Sequence, residues 1–259
     1  MSHRIQLIDA FVGREMRGNP AGVCLLETAG KTDWMQAVAE EMNQAETAFA
    51  WREGHRWRLR WFTPVTEVDL CGHATLATAA AIFFDEEATD TVDFDTRSGI
   101  LSCRRDGERV EMSFPAQPVL ECALPAPLKE MMAGKYAWFG EAGADYLAVF
   151  EDEEAVRDFA PDFGAISAAG RRGLAVTAPG READMVSRFF APQCGIPEDA
   201  VTGSLHCALA PYFAARFSKT HFRAVQASKR GGELELEVKG DRVVLRGLVR
   251  VAMDGRLLI

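Results

Sequence analysis

Three short stretches hold the residue types that could do chemistry. Glu46 stands in "NQAETAFAW", Cys71, Gly72 and His73 in "VDLCGHATLATAA", and Glu198, Asp199, Thr202, Gly203 and Ser204 in "IPEDAVTGSLHCALA". On a strand, Glu46 shares one face with Ala48 and Ala50, while Thr47, Phe49 and Trp51 share the other. It reads either as an edge-strand glutamate in water or as a partly desolvated carboxylate suited to take and return protons. His73, in a first helical turn, is disfavoured as a cation by the helix dipole. It is either a packing histidine or a neutral group that donates a hydrogen bond or shuttles a proton. An acid before a helix, as Asp199 and Glu198 are, is either an N-terminal cap or, for Asp199, a second carboxyl partner for Glu46.

The thiols divide in the same way. Cys24, Cys103, Cys122 and Cys207 read as buried small hydrophobes. Cys71, at a helix mouth, could instead carry a lowered pKa and act as an acid or base. Its counterpart in the second half of the chain is Thr202, so a symmetric thiol pair is missing. Cys194 precedes Gly203 by nine residues and could approach the site. No G-x-S-x-G elbow surrounds Ser204, which points to anion binding rather than nucleophilic attack.

The elements that must position these groups follow from pattern. "IQLIDAF", "AGVCLLE", "ETAFAWRE" and "WRLRWFT" read as strands. "TDWMQAVAEEMN" reads as a helix with Asp33 as N-cap, Gln36 three residues on, and Met35, Val38 and Met42 along one stripe. The stretch 72–84 is a helix with small or apolar residues on every face, hence a buried one. Its first turn leaves backbone N–H groups without partners, where Gly72 lets a ligand approach and a carboxylate could bind.

The chain repeats this arrangement. "RSGILSCRRDGERVEM" (97–112) matches "RGGELELEVKGDRVVL" (230–245) at an offset of 133, each a strand, a Gly-centred turn and a strand. "RLRWFTPVTEVDLCGHATLATAA" matches "VSRFFAPQCGIPEDAVTGSLHCALA" more loosely, with Gly72-His73 over Gly203-Ser204 at an offset of 131. A period this long signals two copies of one domain rather than a solenoid. The expected boundary is marked by Pro115 and Pro118, giving domains 1–115 and 116–259, with the last strand free to join either. Two helix mouths would then face one inter-domain cleft.

Composition narrows the class. The chain has 259 residues, 48% hydrophobic and 26% charged, with a formal net charge of −9. That length suffices for two cores. The negative balance argues against nucleic acid or an anionic membrane as partner. No window is long and apolar enough for a membrane helix. The opening residues turn acidic too soon for an export leader, so a cytoplasmic protein with six reduced thiols is expected. No Cys-x-x-Cys pair or His cluster has zinc-site spacing, so no metal is expected.

Together "IDAFVGREMRGNPAGVCLL", "MNQAETAFAW", "FTPVTEVDLCGHATLATA" and "PEDAVTGSLHCALAPYFA" resemble the phenazine biosynthesis-like (PhzF) family, relatives of diaminopimelate epimerase. The resemblance covers nearly the whole chain. It implies an α+β fold of two pseudo-symmetric domains, each a sheet or barrel wrapped around a central helix, with the active site in the inter-domain cleft. It also implies a homodimer, an isomerase or epimerase acting on a small carboxylate substrate, and no metal or organic cofactor. By resemblance the catalytic glutamate falls on Glu46, the glycine-histidine on Gly72 and His73, the aspartate on Asp199, and the anion site on Gly203 and Ser204. Cys71 lies where the epimerases place a first thiol, but Ser204 lies in the region of their second. One-base proton shuttling by Glu46 fits this better than a two-thiol racemase. A family member that binds ligand or protein without catalysis and a cysteine-dependent racemase using Cys71 are the alternatives.

Overall fold

The structure, a computed structural model, describes residues 3–85 and 89–258. The chain forms two compact units, one of Met1–Ser113 with Arg246–Ile259 and one of Phe114–Leu245.

The first unit runs β1 (His3–Val12), β2 (Asn19–Leu26), α1 (Thr32–Met42), β3 (Glu46–Glu53), β4 (Arg56–Phe62), a two-residue β5 (Glu67–Val68), α2 (Gly72–Asp85), β6 (Thr91–Thr96), β7 (Gly99–Asp106) and β8 (Arg109–Pro115). Strands β1 and β2 are antiparallel, β2 and β3 parallel with α1 as the crossover, and β3 and β4 antiparallel. Strands β4 and β6 are parallel with α2 as the crossover, and β6, β7 and β8 form an antiparallel run. The final strand of the chain returns to pair with β1, from Leu257 opposite His3 to Leu248 opposite Val12, and also pairs with β8. Eight strands thereby close into a barrel.

The barrel is filled by α2, which packs against β1, β2, β3 and β7 and is buried from His73 through Phe83. A run of alanines lets the surrounding strands come close, and an all-round apolar helix is stable only inside. Its two buried threonines turn inward on the helix itself: the Thr75 and Thr78 hydroxyls donate to the carbonyls of Cys71 (2.6 Å) and Ala74 (2.7 Å). The other helix, α1, packs outside, burying Met35, Val38 and Ala39 in a cluster with Phe49, Trp51 and Phe62. Strand β3 is therefore covered on both faces, Phe49 and Trp51 by the α1 cluster, and the face of Ala48 and Ala50 by α2.

The expected cap of α1 is corrected. The N-cap position is Lys31, which makes no side-chain cap, and Asp33 lies inside the first turn. The Gln36 amide donates to the Thr63 carbonyl at 3.0 Å instead of closing a capping box. An acid in the first turn still complements the helix dipole.

The second unit repeats the plan. It runs β9 (Val119–Glu121), α3 (Lys129–Met132), β10 (Trp138–Ala142), β11 (Asp145–Val149), α4 (Glu153–Arg157), α5 (Phe163–Ala168), β12 (Leu174–Pro179), β13 (Met185–Ala191), β14 (Ile196–Asp199), α6 (Gly203–Phe217), β15 (His221–Gln226), β16 (Gly232–Lys239) and β17 (Arg242–Leu257). Again two pairs of strands are parallel, β11 with β12 across α4 and α5, and β13 with β15 across α6. The pairs β9–β10, β10–β11, β12–β13, β13–β14 and β15–β16 are antiparallel. Helix α6 takes the place of α2, buried from Leu205 through Ala210. The sequence repeat also survives in backbone detail: the turns after β7 and β16 place Gly107 and Gly240 at the same positive φ of 61°.

Candidate active site

In the first unit the chain gathers Glu46, Cys71 and His73. Glu46 opens β3 on its α2-facing side, and Cys71 and His73 flank Gly72 at the start of α2. One ligand atom from each of the three lies within 4.8 Å of the others. His73 Nε2 is 3.4 Å from Glu46 Oε2, and Cys71 Sγ is 3.5 Å from His73 Nδ1. The Glu46 side chain is 14% exposed and that of His73 7%, so the group sits at the edge of the dry interior. Gly72, half-buried, leaves its backbone without a side chain between them.

His73 is neutral at physiological pH. Burial pushes its pKa down to about 4, and a hydrogen bond to the Pro20 carbonyl opposes this less strongly. Dehydration, rather than the helix dipole expected from sequence, is the main cause. Its 3.4 Å approach to Glu46 is accordingly a contact between a neutral ring and a carboxyl group. Nε2 makes no hydrogen bond, because distance alone does not supply the alignment.

In the second unit Asp199, Thr202, Gly203 and Ser204 meet at the start of α6. Thr202 occupies the N-cap position with extended backbone (φ −112°, ψ 97°), but its hydroxyl does not cap the helix. It donates instead to Asp199 Oδ2 at 2.5 Å. Glu198 is taken up by Arg188, whose Nε and Nη2 donate to its two oxygens at 2.7 and 3.2 Å. The first-turn N–H groups of α6 thus receive no cap from the Thr202 side chain, and the positive end of the helix lies beside this cluster.

Three residues that sequence reasoning missed build this second cluster. Gln226, fully buried, accepts from the Thr202 N–H (2.8 Å) and donates to the Asp199 carbonyl (2.9 Å) and the Thr202 hydroxyl (3.2 Å). Arg172 is held in bidentate fashion by Asp145, at 2.8 and 2.5 Å. The Asp145 side chain is only 3% exposed. The same Arg172 Nη2 donates to Ser204 Oγ at 3.1 Å, and the guanidinium lies 5.3 Å from the Phe189 ring centre. The mouth of α6 therefore has a guanidinium, paired with Asp145, beside it as well as the dipole. Asp199 is close enough to favour the charge on Arg172. Nothing in "AGRRGLAV" marks Arg172, since its partners lie 27 and 32 residues away.

Of the remaining thiols, Cys24, Cys103 and Cys207 are buried, and burial raises the pKa of each. Cys122, expected to be buried, is only partly so, and Cys194 is exposed. Cys122 lies just past the short strand β9, too near the surface to be enclosed.

A barrel closed around a small-residue helix, with a second sheet around a buried helix in the other unit, is a fold shared with solved epimerases. A hydroxyproline epimerase from Agrobacterium vitis shares it at a TM-score of 0.69 and 9% identity, over 99% of this chain and 91% of the other. The sequence profile of the phenazine biosynthesis-like proteins (PhzC-PhzF) matches residues 8–256, and the chain belongs to that family. An uncharacterized isomerase of Pseudomonas aeruginosa is 45% identical over 96% of both chains. The crystal structure of a PhzF family protein from Enterococcus faecalis superposes with a TM-score of 0.95 at 38% identity, covering all of both chains. The family includes proteins named as isomerases, and no helix among the described residues is long and apolar enough to cross a membrane.

Proposed function

We propose that the protein is an isomerase that moves a proton on a small carboxylate-bearing substrate without an organic cofactor, with Glu46 as the general acid/base. The observation that carries this reading is the gathering of Glu46, His73 and Cys71 within 4.8 Å at the mouth of a buried helix. The Glu46 carboxylate takes a proton from a substrate carbon and returns it to another carbon or to the other face, so that the enzyme ends as it began. Neutral His73 gives its one N–H to the Pro20 carbonyl and offers its other ring nitrogen as an acceptor or proton relay, and it does not hold Glu46 in an ion pair. In the second unit, the mouth of α6 with Thr202, Gly203, Ser204 and Arg172 suits a carboxylate, and Asp199 serves as a further acid/base or orienting group.

Solvent-hydrogen exchange tests this without knowledge of the natural substrate. A panel of small carboxylates is incubated with the protein in deuterium oxide, and incorporation of deuterium at carbon is followed by NMR. Glu46→Gln, nearly isosteric, should lower the exchange rate by roughly 10²–10⁴ or more while leaving circular dichroism unchanged. Exchange by the variant at the parent rate would sink the proposal.

The contact between Cys71 Sγ and His73 Nδ1 favours a second reading, in which the thiol is the acid/base. That reading requires exchange to be lost on alkylation and in Cys71→Ser, yet retained in Glu46→Gln.

A further inference from the structure

The three side chains gathered in the first unit differ in kind: a carboxylate oxygen, a thiol sulfur and an imidazole nitrogen. This is the donor set of a zinc site with three protein ligands and one open position. Among the described residues no other His, Cys, Asp or Glu trio is brought as close. With bonds of about 2.3 Å to sulfur and about 2.0–2.2 Å to nitrogen and oxygen, a tetrahedral ion holds S and N about 3.5 Å apart and N and O about 3.4 Å apart. The pairwise separations here are 3.5 Å for Cys71 Sγ to His73 Nδ1 and 3.4 Å for His73 Nε2 to Glu46 Oε2. Because those contacts use opposite ring nitrogens, one ion would be shared only after the imidazole or the carboxylate turns about its own bonds. A second, independent observation points to a ligand. His73 Nε2 is buried and makes no hydrogen bond, which is unusual for a polar atom in a protein interior.

We propose that Glu46, Cys71 and His73 form a site for a thiophilic divalent cation of the zinc class, and that filling it silences proton transfer at Glu46. The first half of this inference stands on geometry alone, whereas the second rests on the isomerase reading. Binding converts the Cys71 thiol to a metal-bound thiolate and releases its proton to solvent, with no change in oxidation state. The ion occupies the carboxylate oxygen that would otherwise take the substrate's proton. The set escapes sequence-spacing rules because Glu46 lies 25 residues before Cys71 and reaches it only through the fold.

The test uses the full-length protein stripped with chelator and titrated with Zn²⁺ or Co²⁺. The expected result is one equivalent bound, proton release seen by calorimetry in two buffers, and a thiolate-to-cobalt band in the near ultraviolet. Cys71→Ser should abolish that band. Loss of an outer-shell partner alone weakens metal sites roughly 10–100-fold, so His73→Ala should weaken binding by at least about 100-fold. Cys122→Ser and Cys194→Ser should leave binding unaltered. X-ray absorption on the zinc-loaded parent, which needs no variant, should show a single sulfur neighbour at about 2.3 Å with nitrogen or oxygen completing the shell. A shell without sulfur, one with two or more, the absence of binding below millimolar Zn²⁺, or loss of the band in Cys194→Ser would overturn the site. Deuterium exchange measured with and without one equivalent of Zn²⁺ decides the second half. Unchanged exchange in the loaded protein overturns the silencing alone, whereas a failure to bind leaves the proton-transfer reading standing.

Discussion

His206 provides a quantitative check that needs no substrate. It lies fully buried in the first turns of α6, and its Nδ1 is 2.9 Å from the Thr202 carbonyl. A carbonyl only accepts, so Nδ1 carries the proton, and Nε2 presents a lone pair with no hydrogen-bond partner. A second proton on Nε2 would be a buried cation in apolar surroundings, and burial accordingly pushes the pKa from 6.5 down to about 4. The unfolded chain then binds a proton at a higher pH than the native one. The stabilising effect is complete above pH 6.5 and is lost as pH falls toward 4. A shift of that size is worth about 3 kcal/mol over the whole interval and about 2 kcal/mol by pH 5. His206→Gln keeps an N–H for the Thr202 carbonyl and removes the titration. Urea unfolding of parent and variant at pH 7, 6, 5 and 4.5 should give stabilities that converge by about 2 kcal/mol between pH 7 and 5, whatever their offset at pH 7. His73 titrates alike in both proteins and cancels in the difference. Parallel curves, agreeing in slope to within about 0.5 kcal/mol, would refute the account of a dry, neutral ring at the start of α6.

Three further outcomes are expected. Gln226→Leu should destabilise by about 2–4 kcal/mol in chemical unfolding, since it strands the Thr202 N–H and the Asp199 carbonyl, each worth about 1–3 kcal/mol when left unmade. Arg172→Met should cost about 3–5 kcal/mol by leaving the buried Asp145 carboxylate unpaired, and adding Asp145→Asn should restore at least half of that in the same assay. Gly247→Ala should lower stability by about 1–3 kcal/mol. A Cβ there would stand 2.4 Å from the ring of Phe11, which is locked at φ 60° in a bulge of β1; Gly255→Ala, with nothing within 4 Å, serves as the neutral control in thermal melts.

What could be read from sequence was whatever depends on local pattern. An uncharged run of alanines and threonines from Ala74 to Ala81 has no solvent-facing side, and α2 is indeed the filling of a barrel. Alternation in "ETAFAW" put Glu46 on the face of the two alanines, and that face turns toward α2, where His73 begins. The Gly-centred turns at 107 and 240 require positive φ and have it. What stayed hidden depends on groups distant along the chain. Arg172, Asp145 and Gln226 look like ordinary surface-type residues until the parallel pairing of β13 with β15 and the entry to β12 bring them to Thr202 and Ser204. The Asp33 cap failed because a helix needs only one residue with extended backbone to begin, and Lys31 (ψ 139°) provides it without a side-chain bond. Neutrality at His73 was anticipated for a weaker reason than the operative one, since burial cannot be read from the first turn alone.

The return of residues 246–257 to pair with β1 has a consequence for biosynthesis. The second unit is one unbroken stretch of chain, whereas the barrel that holds Glu46 and His73 lacks a stave until residues 246–257 have been synthesised. During translation its two bare edges, β1 and β8, invite pairing with other nascent chains. Deleting residues 246–257 would therefore damage the half farthest from the deletion in sequence, and spare the half nearest to it.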